Sequence, residues 1–223
     1  MESNSQVDVS ENFVIRGGVL ISYRGNNDNV IIPNDVFCIG KEAFKNNLNI
    51  KSIYFSNTVM EIQEGAFMGC KNLETIAGYE NIESFGEDCF RSAGLIEINI
   101  SSKVSALGKY CFSNMPNLKK LIYMPGKDIV LDHTFFNCPK LETVVTDKNY
   151  FFPSVHKRIE VKNNPNNKRS TFGDAFCETP FLKKIIKEAL ESYKKGICFE
   201  CGGRISKHFF HARCRKCGID YKN

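Results

Sequence analysis

The chain has 223 residues, with 30 basic and 25 acidic side chains, 42% hydrophobic residues, and 18 Phe but no Trp. A 25% charged fraction beside so many aromatics excludes a wholly disordered chain, and the length suits one ordinary core or an elongated repeat array with a small appendage. No apolar run approaches the roughly 18 residues of a membrane span. The first segment, 1–12, reads as a polar, acidic tail without the basic-then-apolar layout of a signal peptide. A cytoplasmic chain with no membrane association is expected.

Charge divides the sequence in two. Residues 1–156 carry 14 basic and 18 acidic groups, whereas 157–223 carry 16 and 7, giving nets of −4 and +9. Such a split points to two modules, the second with an electrostatic role toward phosphate or acidic protein, or else simply a solvated lysine-rich helix beside a metal module. Without a secretion signal, ten cysteines argue against a disulfide framework. Six are scattered singly (Cys38, Cys70, Cys89, Cys111, Cys138, Cys177), and four form two close pairs at the end.

In chain order, the next segment, 13–33, reads as a β cap. Val14, Val19–Ile21 and Val30–Ile32 are short β-rich runs broken by Gly17-Gly18 and by Gly25-Asn26-Asn27-Asp28, a meander with turn chemistry at each break. It would cover the otherwise exposed first sheet edge of a repeat array.

Residues 34–148 repeat. Phe44, Phe67, Phe90, Phe112 and Phe135 are spaced 23, 23, 22 and 23 apart, preceded by Ala43, Ala66, Cys89, Cys111 and Thr134. Five positions before each Phe stand Ile39, Ile62, Phe85, Leu107 and Val130; eight before stand Val36, Val59, Ile82 and Val104, with Lys127 breaking step. Six and nine after come Ile50/Ile53, Leu73/Ile76, Leu118/Leu121 and Leu141/Val144; the third repeat is one residue short, so Leu95 and Ile98 take these places. A coil of this length cannot bury its own apolar edge, but stacked coils superimpose Phe on Phe in a continuous core. The single cysteines are expected to act as small apolar residues; the rival reading is reactive thiols, for which no charged partner recurs.

The stretches "IGKEAFKNNLNIKSI", "IQEGAFMGCKNLETI" and "LGKYCFSNMPNLKKL" resemble the BspA-like leucine-rich repeat family over about residues 13–146. The resemblance implies a curved right-handed solenoid with one short parallel strand per repeat. Members with signal peptides are commonly surface adhesins, a role that does not carry over without such a peptide. If the strand positions Ile53, Ile76, Ile98, Leu121 and Val144 point inward, their neighbours face outward. Among those neighbours Tyr54, Ile122 and Val145, with Lys120, are the candidate partner-binding residues, since a contiguous exposed apolar patch marks a contact surface. Strand propensity alone also favours Tyr, Ile and Val there.

Residues 149–196 read as a loop, a degenerate repeat and a capping helix. "FGDAFCETPFLKKI" echoes the repeat with Phe176, Leu182 and Ile185 at offsets zero, six and nine. Thr179 suits an N-cap, Pro180 the first turn and Gly196 the stop, while Phe181, Leu182, Ile185, Ile186, Ala189, Leu190 and Tyr193 form one apolar stripe. A free membrane-binding helix is the rival.

The last segment, 197–223, carries the most specific chemistry. Cys198 and Cys201, then Cys214 and Cys217, are two CxxC pairs separated by 12 residues, each followed by Gly. Four thiolates can close a tetrahedron around one Zn2+, two residues between cysteines let a turn aim both sulfurs at the ion, and the span Arg204–Arg213 is long enough for a hairpin joining the pairs. His208 and His211 are alternative ligands for one pair. The segment is similar to zinc-ribbon modules, and one structural zinc is expected. Around it, Arg204, Lys207, Arg213, Arg215 and Lys216 beside Phe209 and Phe210 could hold phosphates and stack bases, or offset the charge of the thiolates. No GxSxG, Walker, dinucleotide or HExxH motif is present. The reading is a non-catalytic interaction scaffold with an unknown protein partner; the alternative is a nucleic-acid-associated factor acting through the basic C-terminal part.

Overall fold

A computed structural model describes residues 9–126, 129–145 and 178–195, and the backbone of 205–207, 211–214 and 220–222. Two antiparallel strands open the fold, β1 (Phe13–Arg16) and β2 (Val19–Tyr23), turning at Gly17 and Gly18, both with positive φ. Gly18 also permits a close approach, because a Cβ there would lie 2.1 Å from the Phe37 ring.

From there the chain winds in coils, and each of the first four coils contributes to two sheets rather than one. β3 (Asn29–Ile31), β5 (Ser52–Tyr54) and β7 (Thr75–Ala77) form one parallel sheet. β9 (Glu97–Ile100), β11 (Lys120–Tyr123) and β12 (Thr143–Val145) continue that side as a second sheet. The other set is β4 (Cys38–Ile39), β6 (Glu61–Ile62), β8 (Ser84–Phe85) and β10 (Ala106–Leu107), running parallel from β2 in one six-stranded sheet with β1 at its edge. The expected single strand per repeat is therefore corrected to two in the first four coils, while the fifth supplies only β12 among the described residues. Pieces of two residues are too short to show alternation, so sequence periodicity passes over them.

The opening segment is more than a cover. β2 pairs with β4 and β3 with β5, so this segment supplies a first coil to both sheets. Its Tyr23 ring stacks on Phe44 at 5.1 Å, and the stack continues Phe44–Phe67 (4.8 Å), Phe67–Phe90 (4.8 Å), Phe90–Phe112 (5.6 Å) and Phe112–Phe135 (5.6 Å). The five Phe side chains are buried, as are Val36, Val59, Ile82 and Val104 and the apolar positions Ile50, Leu73, Leu95, Leu118 and Leu141. At about 1.5–3 kcal/mol per buried side chain, this column is a principal source of stability.

Each turn around a Phe is shaped by two left-handed residues. Two before it stand Glu42, Gly65, Asp88, Tyr110 and His133, and two after it Asn46, Gly69, Ser92, Asn114 and Asn137, all with φ between 52° and 75°. That conformation favours Gly and Asn, and the second set holds one Gly and three Asn. Glu178, two residues after Phe176, has φ 65° as well, in phase with a further degenerate coil.

The fifth coil departs from the expected phase. Val130 is 64% exposed, and Leu131 is buried instead. Among residues 129–131 no strand forms, so no ladder holds residue 130 in place, and the chain shifts by one to bury the larger side chain.

A helix, α1 (Pro180–Lys194), follows. Thr179 caps it, its Oγ1 accepting from the Leu182 N–H at 3.1 Å. Phe181 and Leu182 join the solenoid core, Ile185 packs against it, and the Phe181 N–H donates to the Leu141 carbonyl at 2.9 Å. The side chains of Ile186, Ala189, Leu190 and Tyr193, and residue Gly196, lie outside the described residues. Finally, β13 (Ile205–Lys207), β14 (His211–Cys214) and β15 (Asp220–Lys222) form a small antiparallel sheet.

Candidate functional site

In β5 the side chain of Ile53 is 2% exposed and that of Tyr54 55%. The same alternation in the neighbouring strands turns Ile98 and Leu121 inward, with Ile76 and Val144 half-buried against the core. Outward positions thus align in rows across the coils. Ile31, Tyr54 and Ala77 are in register in the first sheet, and Asn99, Ile122 and Val145 in the second.

Of the residues expected here, Tyr54 and Val145 are exposed, Val145 at 38%, while Ile122 is half-buried. Lys120 is not a free cation, because its Nζ lies 2.9 Å from Glu97 Oε1 on the adjacent strand. Sequence reasoning missed Ile31, which is 67% exposed and paired with Tyr54. Its signal was available, since Ile31 stands one 23-residue repeat before Tyr54. Ile31 and Tyr54 are the most exposed large apolar residues on the described face.

The one-residue deletion in the third repeat divides this face. Ile98 follows Ile76 by 22 residues, and there the strand pairing stops; β7 and β9 belong to different sheets. The coils still touch through the Ile96 N–H and the Glu74 carbonyl at 3.3 Å. The opposite strand set runs through the same point unbroken, with β8 paired to β10.

Cys38, Cys70, Cys89, Cys111 and Cys138 are buried and free. Burial pushes Cys70 and Cys138 up to about 12 and Cys38 up to about 11, the last helped by the charge of Glu61. Burial also raises Cys111, with a hydrogen bond to Cys89 adding to it. Such thiols are poor nucleophiles at neutral pH.

The candidate metal ligands Cys198, Cys201 and Cys217 and the basic residues Arg204, Arg215 and Lys216 lie outside the described residues, as do His208 and the side chains of Lys207, His211, Arg213 and Cys214. The backbone gives a hairpin that starts after the first cysteine pair and ends on Cys214 of the second: Ile205 pairs with Cys214 and Lys207 with Ala212. Cys201 precedes this hairpin by four residues and Cys217 follows it by three. Among the described residues no group of three or more His, Cys, Asp or Glu side chains forms a metal site, and no helix is long and apolar enough to cross a membrane.

Comparison with known proteins bears on the solenoid. No curated protein matches the chain. A leucine rich cell surface protein from Faecalibacterium prausnitzii shares the fold with a TM-score of 0.51 and 22% identity, over 58% of this chain and 35% of that one. A leucine-rich repeat protein from Eubacterium ventriosum aligns with a TM-score of 0.53 and 21% identity, over 59% of this chain and 38% of that one. The chain therefore spans little more than a third of either solved protein. Residues 22–142, more than half of the chain, match six copies of the BspA type leucine rich repeat region. With its stacked Phe column and paired coil strands, the chain belongs to the BspA-type leucine-rich repeat family.

Proposed function

We propose that this protein is a non-catalytic interaction scaffold whose solenoid face binds a protein partner. The observation that carries this reading is the Ile31–Tyr54 pair, 67% and 55% exposed side by side on a sheet whose backbone is already fixed by pairing. A rigid platform with exposed apolar groups loses little conformational entropy on binding. Ile122 and Val145 extend the contact on the second half of the face, with Lys120 and Glu97 as a polar boundary.

The helix α1 closes the far end of the array, a role supported by burial of Phe181 and Leu182 in the core. The C-terminal segment is a structural zinc ribbon. The donor set fits the ion: in sequence Cys198 and Cys201 precede the hairpin, Cys214 ends its second strand opposite Ile205 and Cys217 follows three residues later, a four-thiolate set with CxxC spacing on either side of one hairpin turn. Zinc there would cross-link a sheet too small to hold itself. The workplace is the cytoplasm, a reading supported by five buried free thiols and a donor set that needs reduced cysteines. The similar protein from F. prausnitzii is named a cell surface protein, so cell fractionation checks this point.

The test is affinity capture of the zinc-loaded full chain from its own cell extract, with and without nuclease. A partner that persists after nuclease and is lost with Tyr54→Ala/Ile122→Ala supports the scaffold. A catch that disappears with nuclease transfers the function to the basic residues Arg204, Lys207, Arg213, Arg215 and Lys216 and a nucleic-acid partner.

A further inference from the structure

A second surface lies beside the other strand set. A groove of about 720 Å³ is lined by residues from four successive coils, among them Asp35, Phe37, Met60, Glu83 and Lys103. Phe37, Met60 and Glu83 occupy the same place in their coils, just before β4, β6 and β8. Their backbones form one column: the Met60 N–H donates to the Phe37 carbonyl at 2.9 Å and the Glu83 N–H to the Met60 carbonyl at 2.8 Å. With coils about 4.8 Å apart, the groove runs roughly 14 Å along the solenoid axis.

The floor is fixed in place. Thr58 Oγ1 donates to the Val36 carbonyl at 2.7 Å, and Asn81 Nδ2 donates to the Asn57 carbonyl at 2.7 Å. Asn81 Oδ1 accepts from Lys103 Nζ, which holds that ammonium on the wall at the fourth coil while it keeps its charge, so Asp35 and Glu83 leave the lining with a net charge of −1. Phe37 and Met60 stand 45% and 47% exposed on this floor. Asp35 and Glu83 are exposed, and neither has an ion-pair partner among the described residues.

Order along the axis gives the chemistry of the occupant. Asp35 belongs to the first coil, Met60 to the second and Glu83 to the third, so two carboxylates without ion-pair partners lie two coil steps apart, about 9.6 Å along the axis, on either side of an apolar step. We infer that this groove binds an extended basic peptide segment of a partner protein, with a bulky apolar side chain between two Lys or Arg residues. In an extended chain, side chains at positions i, i+2 and i+4 share one face and span about 13 Å, and long basic side chains reach back to the two acids. The apolar residue rests on Phe37 and Met60. This goes beyond the sheet-face reading, since none of these residues belongs to the Ile31–Tyr54 row.

The probe is acetyl-Arg-Ser-Leu-Ser-Arg-amide, titrated into the isotope-labelled full chain and followed by amide NMR, with the Glu-for-Arg peptide as control. Saturable shifts at Val36, Phe37, Met60 and Glu83, absent with the acidic peptide and at least tenfold weaker in Asp35→Asn/Glu83→Gln, are expected. Those two substitutions are at exposed positions, and an unchanged spectrum elsewhere verifies the fold. Phe37→Ser should weaken binding while leaving the sheet face intact. No shifts, equal shifts with the acidic peptide, or shifts confined to Ile31 and Tyr54 would overturn the assignment. A failure of the Tyr54→Ala/Ile122→Ala capture leaves this outcome unaffected, so the two readings fail separately.

Discussion

The Sγ of Cys70 donates a hydrogen bond to the carbonyl of Phe44, 3.0 Å away and 26 residues earlier in the chain. Cys138 repeats the contact with Phe112 at 3.3 Å. Each thiol therefore ties its turn to the coil before it, in addition to filling a small apolar space. The sulfur must carry its proton to do this, and both side chains are wholly buried.

That requirement has a pH signature. Burial raises both thiols from about 9.0 to about 12. Between those values the unfolded chain loses thiol protons that the folded chain retains, so stability is intact below pH ~9 and falls as pH rises toward ~12, by about 1.4 kcal/mol per pH unit per thiol. Urea denaturation across this range should show the loss, and Cys70→Ala/Cys138→Ala should remove the share of the slope belonging to these two groups. An unchanged slope in the double variant would contradict the assignment.

The Phe column predicts a large cavity effect. Phe67 is stacked between Phe44 and Phe90 at 4.8 Å on each side, with Phe55 edge-on at 5.8 Å. Phe67→Ala should cost about 3–5 kcal/mol, measured by equilibrium denaturation. Phe67→Leu should cost markedly less.

Thr134 predicts the opposite sign. It stands where other coils have Ala43, Ala66, Cys89 or Cys111, and its Oγ1 is buried without a hydrogen-bond partner among the described residues. Exchanging the hydroxyl for a methyl of similar shape removes a desolvated polar group. Thr134→Val should raise stability by about 1 kcal/mol, read from the same denaturation curves.

The proposed zinc site predicts that chelation separates the two modules. One zinc per chain is expected by atomic absorption. A strong chelator should abolish amide protection in β13, β14 and β15 while the solenoid coils remain protected in hydrogen exchange. Loss of protection in both would show that the ribbon and the solenoid do not unfold independently.

Much of the solenoid could be read from spacing, because its Phe, Ile and Leu positions recur over five coils and a buried column tolerates few other residues. What escaped detection was short or singular. The strands Glu61–Ile62 and Ser84–Phe85 are too brief for an alternating pattern, and Val130 keeps the repeat spacing while Leu131 takes the buried place. On the face, Tyr54 was legible because it neighbours Ile53; Ile31 was passed over because it lies in the opening segment, read as a cap and not as a coil. The pairing of Lys120 with Glu97 was available in the 23-residue spacing between them, whereas the half-burial of Ile122 depends on packing around it that repeat spacing does not encode.

The strand face carrying Ile31 and Tyr54 is proposed as the place where a protein partner sits. Hydrogen exchange of the full chain, alone and bound to the partner captured from its own extract, tests this most directly. New protection is predicted to concentrate in β3, β5 and β11, and to be lost together with binding in Ile31→Ser/Tyr54→Ala. Protection confined to β13–β15, or a bound complex unaffected by that double substitution, would contradict it.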